Sequence, residues 1–68
     1  MAGFSLTPTP PLTTDKEWDD LLKSVNSVPG VENVKRERVS GQIWLSTDMS
    51  KKELADALKS AGVNASVN

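Results

Sequence analysis

Ser50-Lys51-Lys52-Glu53-Leu54-Ala55-Asp56-Ala57-Leu58-Lys59-Ser60-Ala61-Gly62-Val63-Asn64-Ala65-Ser66-Val67 carries two hydrophobic periods in succession, and that change decides the fold class. Leu54, Ala57, Leu58 and Ala61 recur at the three-and-four spacing of one helix face. Val63, Ala65 and Val67 then alternate with Asn64, Ser66 and Asn68, the period of a half-buried strand. Ser50 and Glu53 have the spacing of a capping box, in which hydroxyl and carboxylate each satisfy a backbone amide that the helix start leaves without a partner. Met49 and Leu54 occupy the two positions that staple the incoming chain to the first turn, and Gly62 supplies the stop. The spacing predicts a helix over Lys51–Ser60 and a strand from Val63 onward.

The same signals recur upstream. Thr14-Asp15-Lys16-Glu17 is a second capping box, and Trp18, Leu21, Leu22 and Val25 build one apolar stripe behind it. Asp15, Glu17, Asp19 and Asp20 crowd the early turns, where the helix dipole favours negative charge. A helix over Asp15–Asn26 follows, ended by Pro29-Gly30. Between the helices, Val31–Val39 and Gln42–Thr47 read as two strands joined at Ser40-Gly41. A two-residue turn pairs Arg38 with Ile43 and Arg36 with Leu45, putting arginines on an apolar face. A three-residue loop with Gly41 in a bulge pairs Arg36 with Trp44 and keeps them off it, so this second register is the expected one. It still sets Lys35 and Glu37 beside Leu45 and Ile43, which points to an edge position or a local irregularity.

Ahead of the first helix, Gly3-Phe4-Ser5-Leu6-Thr7 alternates as a short strand would, with Phe4 and Leu6 on one side. Pro8, Pro10 and Pro11 remove three backbone donors, so residues 7–12 read as a stiff connector; without a strand before it, the whole segment would be a flexible tail. The order (β)αββαβ predicts a single α+β domain over residues 1–68, with residues 1–12 partly extended or flexible. Its expected architecture is a ferredoxin-like βαββαβ sandwich, two helices on one face of an antiparallel sheet.

Composition narrows the function. A chain of 68 residues has room for one core. A domain this small buries only about 60% of its unfolded surface, so a protein partner or self-association would add stability. A net charge of -1 with both signs interspersed gives no field to draw in phosphate or anionic lipid. No apolar run approaches the ~20 residues that span a bilayer, and the start lacks the basic and apolar regions of a leader; the expected partners include no membrane and the expected location is cytoplasmic.

Val28-Pro29-Gly30-Val31-Glu32-Asn33-Val34, together with Ser50-Lys51-Lys52-Glu53-Leu54 and Ala57-Leu58-Lys59-Ser60-Ala61-Gly62-Val63, resembles the heavy-metal-associated domain, over about Leu21–Val63. The resemblance implies a ferredoxin-like fold whose members carry soft metals such as copper, on a cysteine pair between the first strand and first helix. The corresponding segment here, Thr9 through Trp18, has no cysteine, and the chain has no histidine. Copper(I) finds no soft donor there, so a metal-carrier-like domain that has lost its metal site is the second alternative function, and no cofactor is expected.

With neither histidine nor cysteine, no nucleophile and base pair can be assembled from the usual residues, so the chain reads as non-enzymatic. The early carboxylates of the first helix would at most offer a hard cation an acidic patch; a solvated face that complements the dipole is the simpler reading. Lys35, Arg36 and Arg38 beside Trp44 are the constellation with a binding character, because a sheet face with an aromatic platform and guanidinium groups can stack unpaired bases. Glu32 and Glu37 interrupt the basic run, and ordinary cross-strand charge pairs account for it as well. Trp18 either anchors the first helix to the sheet or is exposed for a partner. The leading expectation is a non-catalytic protein-interaction module using the open sheet face or a strand edge, with single-stranded nucleic-acid binding through Arg36, Arg38 and Trp44 as the alternative.

Overall fold

The computed structural model describes residues 2–68. The elements are β1 (Ala2–Pro8), α1 (Asp15–Asn26), β2 (Val31–Glu37), β3 (Gln42–Thr47), α2 (Lys51–Ser60) and β4 (Ala65–Val67). The sheet order is β2-β3-β1-β4, with every neighbouring pair antiparallel. This is the ferredoxin-like βαββαβ fold, and both helices lie on one side of the sheet.

The core follows from the two periods. Leu6 from β1 and Ile43 and Leu45 from β3 point inward at alternate positions, and Trp18, Val25, Leu54 and Leu58 meet them from the helix stripes; all seven are buried. Trp18 is therefore an anchor of α1. Thr47 is the buried polar member, and its hydroxyl is satisfied twice: it donates to the Gly30 carbonyl at 2.8 Å and accepts from the Met49 amide at 3.2 Å. That one side chain ties the end of β3 to the turn before β2 and to the approach to α2.

Both capping boxes form. The Glu17 amide donates to the Thr14 hydroxyl at 3.2 Å and the Thr14 amide to the Glu17 carboxylate at 3.2 Å. At α2 the equivalent bonds between Glu53 and Ser50 are 3.2 and 3.0 Å. Gly62, at φ 78°, closes α2 in a Schellman arrangement in which Val63 donates to the Leu58 carbonyl at 2.9 Å and Gly62 to the Lys59 carbonyl at 3.1 Å. Val63 is buried as part of that helix exit, so β4 begins at Ala65 and not at Val63.

The N-terminal segment is a strand, and a central one. Phe4 and Leu6 pair across from Leu45 and Ile43, so the centre of the sheet depends on β1. Pro8 is tolerated at its end because the odd-numbered positions bond across to β4, as Thr9 does to the Asn64 carbonyl and Asn68 to the Ser5 carbonyl. The missing Pro8 amide therefore falls on the β3 side, where pairing has already stopped at Leu6 and Ile43.

The hairpin departs from both expected registers. Glu37 pairs with Gln42, Arg36 with Ile43 and Lys35 with Trp44, and residues 38–41 form a four-residue turn closed by the Gly41 amide on the Glu37 carbonyl at 3.0 Å. Strand β2 thus ends at Glu37, and Val39 sits 97% exposed in the turn. The cause lies upstream, where Val31 pairs with Thr47 and Glu32 with Ser46 before the register shifts, leaving Asn33 and Val34 opposite Leu45. Asn33 takes a φ of 55°, a left-handed conformation that asparagine tolerates better than most residues. The bulge turns Val34 toward the core, where it packs, and it also reverses the facing of every later β2 residue.

Two expected outcomes follow from this packing. Leu58→Ala, at a site 1% exposed, should cost about 2–5 kcal/mol, a large share of the roughly 3–10 kcal/mol available to a domain of this length. Urea titration followed by circular dichroism reads this as a midpoint shifted far down, and an unchanged midpoint would remove Leu58 from the core. Hydrogen bonds from the Thr14 and Thr13 hydroxyls hold the Glu17 carboxyl below its usual range, and the Ser50 amide and hydroxyl do the same for Glu53. Depressed folded values mean that the stabilisation is complete above the ordinary glutamate pKa of about 4.3 and is lost as pH falls through the lower folded values. Thermal melts from neutral to acid pH should show that loss, and Glu17→Gln combined with Glu53→Gln should flatten it.

Candidate binding surface

The helices cover the inner side of the sheet, which leaves the outer side to the alternate residues. These are Gly3, Ser5 and Thr7 on β1, Gln42, Trp44 and Ser46 on β3, Glu32, Lys35 and Glu37 on β2, and Ser66 on β4, as set by the pairing and by the buried positions between them. Trp44 is 48% exposed in the middle of this face, with Lys35 across from it on one side and Ser5 on the other. The Thr7 hydroxyl accepts from the Gln42 side-chain Nε2 at 3.1 Å and from the Asn68 side-chain Nδ2 at 2.9 Å, linking β1 to β3 and to the residue after β4 at the other end of the face. The result is a polar surface with one aromatic side chain standing on it.

Of the four residues singled out in the sequence, Lys35 and Trp44 come together here and the two arginines do not. Arg38 lies in the exposed hairpin turn. Arg36 is on the opposite face of the sheet, because the bulge sets it across from Ile43. Its guanidinium carbon lies 4.6 Å from the centroid of the Trp18 ring, and Nη1 reaches the Asp15 carboxylate at 3.3 Å. The expected platform of Arg36 beside Trp44 is thereby corrected. A charged residue faces inward on β2 because it is an edge strand and α1 offers an aromatic ring to stack on.

Magnitudes order the parts of this clamp. The Asp15 side chain is 84% exposed, so the ion pair contributes at most about 1 kcal/mol. The stacked guanidinium, on a side chain only 21% exposed, contributes about 0.5–2 kcal/mol and covers the ring. Arg36 Nε is buried without an acceptor, which subtracts from the gain. The clamp was not expected from the sequence. Asn33 is its one local trace, since asparagine marks a position able to take the left-handed conformation that the bulge needs.

The β1–α1 segment, where the heavy-metal-associated resemblance places metal ligands, is organised by other means. Leu12 packs against the core, the Thr13 and Thr14 hydroxyls both donate to the Glu17 carboxylate at 3.0 Å, and Arg36 holds Trp18 from the far side. A cleft of about 240 Å3 lies beside it, lined by Pro8, Pro11, Leu12 and Trp18 and by Ser40 and Gly41 of the hairpin turn. Hydroxyl, carbonyl and carboxylate oxygens are the donors of this segment, a set that does not fit soft copper(I). Among the described residues no three carboxylate, imidazole or thiol side chains gather closely enough to hold a metal ion. Among the same residues, no helix is long and apolar enough to cross a membrane.

No protein-family model and no curated protein matches the sequence. Solved structures do match the fold. The copper(I)-loaded first domain of the human copper chaperone for SOD1 aligns over 97% of this chain and 90% of its own, at 20% identity and a TM-score of 0.71. Oxidized MerP from Ralstonia metallidurans CH34 covers 98% and 96% at 24% identity and a TM-score of 0.73. The N-terminal domain of PacS from Synechocystis PCC6803 covers 100% and 98% at 20% identity and a TM-score of 0.73. These are heavy-metal-associated domains, and the likeness spans the whole sandwich. This chain shares the βαββαβ fold of those heavy-metal-associated domains, with no cysteine in its sequence.

Proposed function

We propose that the domain is a non-catalytic protein-interaction module whose contact surface is the open sheet face centred on Trp44. The observation that carries this reading is the half-exposed Trp44 on a central strand, at the middle of a face that neither helix reaches. Large aromatic side chains at the centre of a contact commonly supply most of its energy, because they bury much area while losing little side-chain freedom. The polar surround of Ser5, Ser46, Lys35 and Gln42 suits a rim that is wet in the free domain and hydrogen-bonded in the complex. One fold neighbour, the first domain of the human copper chaperone for SOD1, belongs to an accessory protein, which supports an accessory role for this fold. The fold carries over to this chain, and the metal chemistry does not, since the donor set that soft copper needs is missing.

Placement of the arginines argues against a nucleic-acid platform. Arg36 stacks on Trp18 behind the sheet, which leaves Lys35 as the cation adjacent to Trp44. Contacts with unpaired bases ordinarily combine several aromatic rings with a continuous basic groove.

Affinity capture, melting curves and two titrations test the reading. In affinity capture with the intact domain as bait, Trp44→Ala should weaken partner binding about thirtyfold, the effect of losing about 2 kcal/mol at a contact centre. Its melting curve should stay close to that of the parent. Arg36→Ala should behave in the opposite way, melting earlier while leaving capture unchanged. Undiminished capture by folded Trp44→Ala would overturn the proposal. Titration with labelled single-stranded oligonucleotides at low salt, where counterion release makes phosphate contacts strongest, should show no binding, and copper(I) titration should show no stoichiometric uptake. Salt-sensitive oligonucleotide binding abolished by Trp44→Ala would reassign the face to nucleic acid.

A further inference from the structure

We draw no further inference here: the strongest candidate, the cleft of about 240 Å3 that Pro8, Pro11, Leu12 and Trp18 line between the β1–α1 segment and the β2–β3 hairpin, is an apolar recess with nothing in the structure to show what covers it.

Discussion

Two short amphipathic helices have enough apolar surface to cover one side of a four-stranded sheet, and everything else in this molecule depends on that limit. Inward on β1 and β3, Leu6, Ile43, Leu45 and Thr47 are fully or almost fully buried and Phe4 partly so, and the helix stripes close over them. The outward positions of the same strands are Ser5, Thr7, Gln42 and Ser46, which lose nothing by facing water. Trp44 is the exception to this division. Its exposure on a central strand leaves apolar area in water at the point where a contact would remove most of it.

A single bulge decides which charges can share that face. By placing Asn33 and Val34 opposite Leu45, it lets Val34 join the core and turns Arg36 inward. An inward arginine would be costly on a central strand. On the edge strand it finds the Trp18 ring and the exposed Asp15 carboxylate, and it lies as a lid over the start of α1. The chain therefore holds its β1–α1 segment with an aromatic–cation stack, a capping box and a partly buried leucine, Leu12.

Much of this was legible in the residues. Both helices run between the residues that the capping boxes and glycine stops imply, because those signals are local and act within one turn. Strand β3 keeps its expected bounds, and its burial alternates without a break from Gln42 to Thr47. The hairpin was read wrongly because register depends on a non-local balance: burying Val34 is worth an irregular strand, and no residue near the turn announces it. Val39 looked like a strand residue by its branching, yet the four-residue turn leaves it in solvent. At β4 the helix exit claims Val63, and alternation alone does not separate a buried exit residue from the first residue of a strand.

The candidate surface was half legible for the same reason. Trp44 and Lys35 were identified and do lie together; Arg36 was placed with them through the mistaken register, and Arg38 stands apart in the turn. The two tryptophans give the account its most direct test, because it assigns them opposite environments. Acrylamide quenching of fluorescence from Trp18→Phe, which reports Trp44 alone, should be efficient, with emission close to that of a solvated indole. The companion Trp44→Phe, reporting Trp18 alone, should be shielded and blue-shifted. If Trp44 proved as protected as Trp18 in the free folded domain, the outer face would already be covered and the proposed contact surface would not exist.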